Sequence, residues 1–107
     1  MDSIKFLYIT CKDLTEARKI GQDLIHEHLA ACVNIIPGME SLYRWQGKIE
    51  SAQEVILIVK TRSTLVNRCI DFVKGIHTYE IPCILVINIE LGHQPYIDWL
   101  LRDTSKE

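Results

Sequence analysis

The sequence has no apolar run that approaches the roughly 20 consecutive residues needed by a membrane-spanning helix. No charged leader with an apolar stretch and a cleavage site precedes Ile4, so we expect no secretory signal. These absences predict a cytoplasmic protein without a membrane partner. The 107 residues, 48% apolar and 24% charged, are typical of one ordinary globular domain, which we expect to span residues 1–107.

Paired cysteine motifs are also missing. Cys11, Cys32, Cys69 and Cys83 form no Cys-x-x-Cys pair. Without a secretory signal, unpaired cysteines indicate reduced thiols in a cytosol-like compartment rather than a disulfide framework. Cys32 and Cys69 fall on apolar faces of a predicted strand and a predicted helix, where cysteine packs as a small hydrophobic residue.

The chain lacks the usual marks of catalysis and of nucleic-acid binding. The net charge is −2 and no basic stripe is visible, which argues against nucleic acid as the main partner. There is no nucleophile–base pair, no Gly-rich phosphate loop and no pair of carboxylates at catalytic spacing. We therefore predict a protein that is not an enzyme and has no organic cofactor. A site assembled from several chains remains the open alternative.

What the sequence does contain is one long β-hairpin. A strand predicted over residues 31–45 turns at Gln46 and Gly47 and returns over residues 48–61. A two-residue Gln-Gly turn between apolar flanks is a hairpin signal, although Gln accepts positive φ less readily than Asn. Pro37 has no N–H to donate to a strand ladder, so it predicts a bulge or bend in the first strand.

The length of this hairpin has a consequence for assembly. Its first strand should span roughly 50 Å at about 3.3 Å per residue. A chain of this size has a radius of gyration of only about 13 Å, so the hairpin tip must project beyond the rest of the domain. A projecting hairpin with aromatic faces and unpaired edges would aggregate unless something covers it. The simplest cover is another copy of the chain, and we expect a homo-oligomer.

The remaining elements give an α+β fold, ferredoxin-like βαββαβ with a long hairpin between the second and third strands and an extra C-terminal helix. Two helices should cover one face of the antiparallel sheet, and apolar residues on the other face need a second sheet. The predicted elements are a strand over residues 4–10, a helix capped by Asp13 and Glu16 that ends near Leu29, a helix capped by Ser63 or Thr64, a strand over residues 84–90 and a helix over residues 96–102.

Several segments resemble the CutA divalent-ion tolerance family. They are residues 29–34 (LAACVN), 36–38 (IPG), 41–50 (SLYRWQGKIE), 60–61 (KT), 77–82 (HTYEIP) and 96–99 (YIDW). The resemblance covers nearly the whole chain in order. It implies a homotrimer of ferredoxin-like subunits, packed sheet to sheet through the long hairpins, and a role in tolerance of copper and other divalent cations. It implies no firmly assigned catalytic reaction.

Two positions depart from the family pattern. The family usually has His-Pro-Tyr-Glu, and Thr78 stands here in the place of that proline. A glutamate often follows the next proline, and Cys83 stands here in its place. The loop should be less rigid without the proline, and its ligand set should be softer with the cysteine.

Candidate metal ligands cluster on the same loop. His77, Glu80 and Cys83 lie within seven residues, and Cys11, just past the first strand, should lie near the same end of the sheet. Imidazole and thiolate suit copper and zinc. We predict that these four residues bind copper or a related divalent ion. The alternative is that His77 and Tyr79 form a hydrogen-bonded structural loop.

The hairpin should supply the trimer interface. We expect Tyr43, Trp45 and Ile49 near the tip, with Pro37 and Gly38 at the bend, to contact neighbouring chains. Aromatic residues are enriched at the buried centres of protein interfaces. The alternative is that the tip aromatics form a platform on which a ligand stacks.

Three functions are therefore open. The first is a trimeric metal-tolerance protein that binds its ion directly. The second is a PII-like trimeric signalling protein that binds a small effector between subunits. The third is a scaffold without a ligand of its own.

Overall fold

The computed structural model describes residues 2–105. Of the helices in this range, none combines the length and the apolar character that crossing a bilayer requires. The elements are β1 (Ile4–Cys11), α1 (Leu14–His26), β2 (Cys32–Trp45), β3 (Lys48–Arg62), a 3₁₀ turn (Ser63–Leu65), α2 (Val66–Ile76), β4 (Ile84–Asn88) and α3 (Gln94–Asp103).

The four strands form one antiparallel sheet in the order β2-β3-β1-β4. The apolar strand β1 lies in the interior of this sheet, between β3 and β4. The α+β, ferredoxin-like prediction is confirmed by this order together with the helices between the strands.

One face of the sheet carries the main core. Leu7 and Ile9 of β1 and Leu57 and Val59 of β3 have no exposed surface. They alternate with residues that point to the other face, as the two-residue period of a strand requires. The fully buried apolar side chains of α1 and α2 in the same core cluster are Ala17, Ile20, Leu24, Cys69 and Val73.

The opposite face is covered at one end only. There α3 brings Leu100 against Ile4 and Ala31 in a second, smaller cluster. The rest of this face, away from α3, is open as predicted. Leu85 and Ile36 lie there and are 61% and 45% exposed.

The hairpin extends past the sheet as a two-stranded arm, residues 39–54. The β1–β3 ladder ends at the pair Cys11 and Val55, whereas β2 and β3 continue to pair with each other as far as Trp45 and Lys48. The molecule accordingly measures 47 × 26 × 22 Å. The projection of the hairpin is confirmed.

Two local predictions within the hairpin are also confirmed. The register of β2 and β3 shifts between Ile36 and Met39, at the position of Pro37. Gln46 and Gly47 both have positive φ, 51° and 79°, which is the conformation of a type I′ turn.

The predicted start of the second helix is wrong. Ser63 and Thr64 do not cap α2, which begins at Val66 after a 3₁₀ turn and has no side-chain cap. Both hydroxyls instead donate to the carboxylate of Asp2, at 2.6 and 2.8 Å. A capping hydroxyl would accept a helix N–H, whereas these two hydroxyls are turned toward a distant carboxylate, to which they donate.

The predicted ends of three elements shift. Helix α1 ends at His26 rather than near Leu29, because the chain reverses at His28, which has a φ of 59°, and the N–H of Leu29 donates back to the Leu24 carbonyl. Strand β4 ends at Asn88, two residues before the predicted end at Glu90. Helix α3 begins at Gln94, with a proline in its first turn.

Candidate metal centre

Three elements meet at the C-terminal end of β1. Cys11 is the last residue of β1, Glu16 lies in the first turn of α1, and His77 follows the last residue of α2. The potential ligand atoms of these three side chains lie within 4.8 Å of one another. The fold thus brings a thiol, a carboxylate and an imidazole into one buried group.

The His77 ring is held by two backbone groups. Its side chain has no exposed surface. Nε2 lies 2.8 Å from the Thr10 carbonyl, which can only accept, and Nδ1 lies 3.0 Å from the Tyr79 N–H, which can only donate. The partners therefore assign a neutral ring with its proton on Nε2. Nδ1 is also 3.8 Å from a carboxylate oxygen of Glu16.

Glu16 joins α1 to the loop after α2. Asp13 caps the helix by accepting the Glu16 N–H at 2.8 Å, as expected for an N-cap. One carboxylate oxygen of Glu16 accepts the N–H of Lys12, and the other accepts both the N–H and the hydroxyl of Thr78. Burial alone would raise the pKa of this carboxyl, but the hydrogen bonds lower it by a larger amount. The pKa of Glu16 therefore lies below its ordinary value.

Cys11 is a buried thiol. Burial is the main cause that raises its pKa to about 12, and the nearby carboxylates of Glu16, Glu54 and Asp13 add to the effect. The group is therefore a protonated thiol at neutral pH. It must lose that proton to ligate a metal, because the thiolate is the ligand form.

The residues fit a metal ion of the copper or zinc type. Sulfur, imidazole nitrogen and carboxylate oxygen are the donors these ions accept, and three protein ligands leave room for a further one. Nδ1 of His77 faces Glu16, while Nε2–H donates to the Thr10 carbonyl. A ring that donates its second N–H to a backbone carbonyl is the usual arrangement of a metal-ligating histidine.

The other predicted ligands lie outside this group. Glu80 is exposed and lines a cleft beside the arm, and Cys83 is a half-buried free thiol just before β4. Both remain predictions as ligands. The sequence pattern predicts only a helix-capping role for Glu16. Its position in the first turn of the helix that follows the strand of Cys11 is the sequence signal for a second role.

The structural alternative for the loop is also present. Tyr79 packs against the His77 ring, with centroids 4.9 Å apart, and its hydroxyl donates to Glu54 at 2.8 Å. Burial, followed by the hydrogen bond to Glu54, raises the pKa of Tyr79 well above its ordinary value. The hydrogen-bonded loop and the ligand group therefore share the same residues and do not exclude each other.

The predicted interface residues are exposed in the single chain. Tyr43, Trp45 and Ile49 are 47, 62 and 75% exposed, and Pro37 and Gly38 lie exposed at the bulge. Tyr43 and Trp45 share one face of the arm, and Ile49 lies on the other, since strand residues alternate. Their role in an interface stays a prediction.

Comparison with known proteins places the chain in a family. Residues 5–103 match the family model of the CutA1 divalent ion tolerance protein. A divalent-cation tolerance protein CutA from Archaeoglobus fulgidus is 47% identical over 95 residues, which are 89% of this chain and 92% of that protein. A crystal structure of CutA from Xylella fastidiosa superposes with a TM-score of 0.94 at 37% identity, covering 96% of this chain and 99% of the other.

The animal relatives are longer. Protein CutA from Homo sapiens is 38% identical over 103 residues, which are 96% of this chain and 58% of that protein. This chain thus spans less than two thirds of the length of the human relative. The chain therefore belongs to the CutA1 divalent ion tolerance protein family.

Proposed function

We propose that this protein binds copper or a related divalent ion at Cys11, Glu16 and His77 and contributes in this way to tolerance of such ions. The observation that carries the proposal is the approach of the three ligand atoms to within 4.8 Å of one another in a buried position. The family description, divalent ion tolerance, supports the same function.

Each residue of the site has a definite task in this proposal. The Thr10 carbonyl accepts the hydrogen bond from Nε2–H of His77, so that Nδ1 is the nitrogen that would ligate the ion. Nδ1 now accepts the Tyr79 N–H, and Glu16 now accepts from Thr78, so ion binding competes with the hydrogen bonds of the loop. The ion supplies positive charge that favours the thiolate of Cys11 over the thiol.

Titration calorimetry of the reduced protein with Cu(I) and with Zn(II) tests the site. We expect Cys11→Ser and His77→Ala each to weaken binding by tenfold or more, and the double variant to abolish it. Cys83→Ser is the matched control, because it removes a half-buried thiol from outside the group. Circular dichroism checks that each variant is folded.

Two results would contradict this site. Affinity unchanged in the Cys11→Ser, His77→Ala double variant would remove it. Affinity lost in Cys83→Ser or Glu80→Gln, with Cys11→Ser unaffected, would move the ion to the ligands that the sequence also suggests.

The proposed working form is a homotrimer without an enzymatic activity, located in the cytoplasm. The partly open sheet face and the exposed arm support assembly, because apolar surface of this kind is usually covered. Four free thiols suit a reducing compartment. Sedimentation equilibrium tests the trimer, and a folded monomer at micromolar concentration would contradict it.

The PII-like alternative has one observation in its favour. A cleft of about 690 Å³ lies between the arm and the loop after α2, lined by Tyr43, Trp45, Glu50, Tyr79, Glu80 and Ile81. A small effector would fit a cleft of this size. A thermal-shift panel of small ligands tests this function, since a ligand at 100 times its dissociation constant adds about 2.7 kcal/mol of stability.

A further inference from the structure

Thr78 donates two hydrogen bonds to the part of Glu16 that faces His77. One carboxylate oxygen of Glu16, Oε2, accepts the N–H of Thr78 at 2.8 Å and its hydroxyl at 2.5 Å. The same oxygen lies 3.8 Å from Nδ1 of His77. A carboxylate oxygen has two lone pairs, so the two bonds from Thr78 use the acceptor capacity of the oxygen that lies beside the imidazole.

The three donor groups of the metal centre are therefore not equally available. The second oxygen of Glu16, Oε1, accepts the N–H of Lys12 at 3.0 Å, so the backbone holds both oxygens of this buried carboxylate. Nδ1 of His77 accepts one N–H, from Tyr79. Within the described part of the chain, no hydrogen bond joins the Cys11 sulfur to another residue. Of the three groups, the carboxylate is the one with the most hydrogen bonds to lose.

Cu(I) and Zn(II) differ in their need for this carboxylate. Soft thiolate ligands select Cu(I), whereas Zn(II) is almost always four-coordinate and accepts carboxylate oxygen beside sulfur and imidazole nitrogen. Loss of the Tyr79 N–H bond to Nδ1 weakens the binding of either ion, because both would use His77. The difference between the two affinities therefore depends on how easily Glu16 leaves its hydrogen bonds.

Thr78 and Glu16 can be approached from the helix side of the sheet. Both line a cleft of about 320 Å³ that is formed by the start of α1 and the end of α2. None of the residues that line this cleft belongs to the arm, residues 39–54, or to the open face of the sheet. Assembly through the arm and the open face would therefore leave Thr78 accessible.

We propose that Thr78 makes the site selective for Cu(I) over Zn(II), because it holds the Glu16 carboxylate in hydrogen bonds and leaves the thiol and the imidazole as the donors that are free to bind. The proposal rests on the proposed metal site and names the ion that the site prefers. Thr78 is a positioning residue that acts through Glu16. A proline, which the family pattern has at this position, offers neither an N–H nor a hydroxyl, so the selectivity is a property of this chain.

Titration of reduced variants with Zn(II) and with Cu(I) tests the proposal. Thr78→Val keeps the shape of the side chain and removes the hydroxyl, and we expect it to raise the Zn(II) affinity by about tenfold and to leave the Cu(I) affinity within about twofold. Thr78→Pro removes both bonds and should raise the Zn(II) affinity further. The backbone before it suits proline, because His77 is extended, with φ −73° and ψ 143°.

Two further variants serve as controls. Thr78→Ser keeps the N–H and the hydroxyl and should keep the ratio of the two affinities. Thr15→Val is the matched control, since Thr15 is an exposed threonine that lines the same cleft, and among the described residues no hydrogen bond joins its hydroxyl to Glu16. It should change neither affinity. Circular dichroism checks that each variant is folded.

A double-mutant cycle shows whether Thr78 acts through Glu16. Glu16→Gln removes the charged ligand and should weaken Zn(II) binding more than Cu(I) binding. In this background Thr78→Val should no longer raise the Zn(II) affinity, because the group that the hydroxyl holds has been replaced. Residues that act through one another are non-additive in such a cycle, whereas independent effects on the loop would add.

Three outcomes overturn the proposal. An unchanged ratio of the two affinities in Thr78→Val and Thr78→Pro would show that Thr78 does not select the ion. An equal rise for both ions would show a general effect of the loop. A rise for Zn(II) that persists in the Glu16→Gln background would show that the carboxylate has no part in it.

The Cys11→Ser, His77→Ala double variant separates this proposal from the proposed function. If that variant loses the ion while the Thr78 variants keep the ratio of affinities unchanged, only the role of Thr78 fails. If that variant binds both ions as tightly as the unchanged protein, or if no variant binds either ion, the metal site fails and the role of Thr78 fails with it.

Discussion

At the scale of single residues, Asp2 shows how one carboxylate ties distant parts of the chain together. It accepts the hydroxyls of Ser63 and Thr64, the Thr64 N–H, and a guanidinium nitrogen of Arg62 at 3.0 Å. Arg62 in turn donates to Thr104 after α3 and to the Leu101 carbonyl. One end of the chain, the turn before α2 and the last helix thus share one polar network.

This network makes stability depend on pH. Burial raises the pKa of Asp2, but the four hydrogen bonds lower it by more, so its folded pKa lies well below its usual range. A group with a lowered folded pKa stabilises the fold above its unfolded pKa, about 3.9, and loses that contribution as the pH falls toward its folded pKa. We expect Asp2→Asn to cost about 1–2 kcal/mol at pH 7 and less at pH 3.

Urea denaturation at fixed protein concentration measures this difference. Asp71→Asn is the control, because Asp71 is an exposed position of α2, and its change should stay within about 0.5 kcal/mol at each pH. An equal cost of Asp2→Asn at pH 7 and pH 3 would show that the carboxylate charge has no part in the network.

At the scale of elements, the arm depends on its turn. Gly47 has a φ of 79°, a conformation that side chains rarely adopt, whereas a Cβ added at Gly75 in α2 would meet nothing within 4 Å. The same substitution should therefore have opposite effects at these two glycines.

We expect Gly47→Ala to destabilise the protein by about 1 kcal/mol through strain in the turn. Gly75→Ala should stabilise it by about 0.5–1 kcal/mol, because alanine is the better helix former. Chemical denaturation of both variants measures the two effects. A stabilised Gly47→Ala variant would mean that the turn relaxes to another type in solution.

At the scale of the whole molecule, assembly should determine stability. The arm makes the molecule 47 Å long, and its aromatic face is exposed in a single chain. If Trp45 packs on a neighbouring subunit, Trp45→Ala removes about 3–5 kcal/mol for each buried ring, once per chain. We expect the trimer to dissociate at concentrations where the unchanged protein is assembled, as measured by sedimentation equilibrium.

The control acts on the subunit instead. Leu7 has no exposed surface and lies in the main core, so Leu7→Ala should destabilise each chain, by about 2–5 kcal/mol, and lower its melting temperature. A Trp45→Ala variant that stays trimeric with unchanged melting would show that the tip is free of subunit contacts. The cleft beside it would then be the main use of Trp45.

Assembly also predicts the thermal behaviour. Because an oligomer is stabilised by mass action, its melting temperature should rise with protein concentration. We expect it to exceed the range of roughly 45–65 °C that is typical of mesophile domains. Differential scanning calorimetry over a range of concentrations measures this. Concentration-independent melting within the mesophile range would argue for a stable single chain.

The sequence by itself determined the parts of this protein that depend on near neighbours. The Gln46-Gly47 turn, the bulge at Pro37, the Asp13 cap and the order of strands and helices all follow from patterns a few residues long, because turn conformations, caps and two-residue alternation are local. The segments that resemble the CutA family include two of these features, the bend at Pro37 and the Gln46-Gly47 turn.

Only the tertiary structure decided which polar groups meet across the fold. It added Glu16 to Cys11 and His77, which the sequence already places at the same end of the sheet. It directed the hydroxyls of Ser63 and Thr64 to an acceptor 61 and 62 residues away, and it placed the loop after α2 beside the arm. Such contacts depend on how the elements pack, and a hydrogen-bonding side chain takes the partner that packing brings to it rather than the nearest one in sequence.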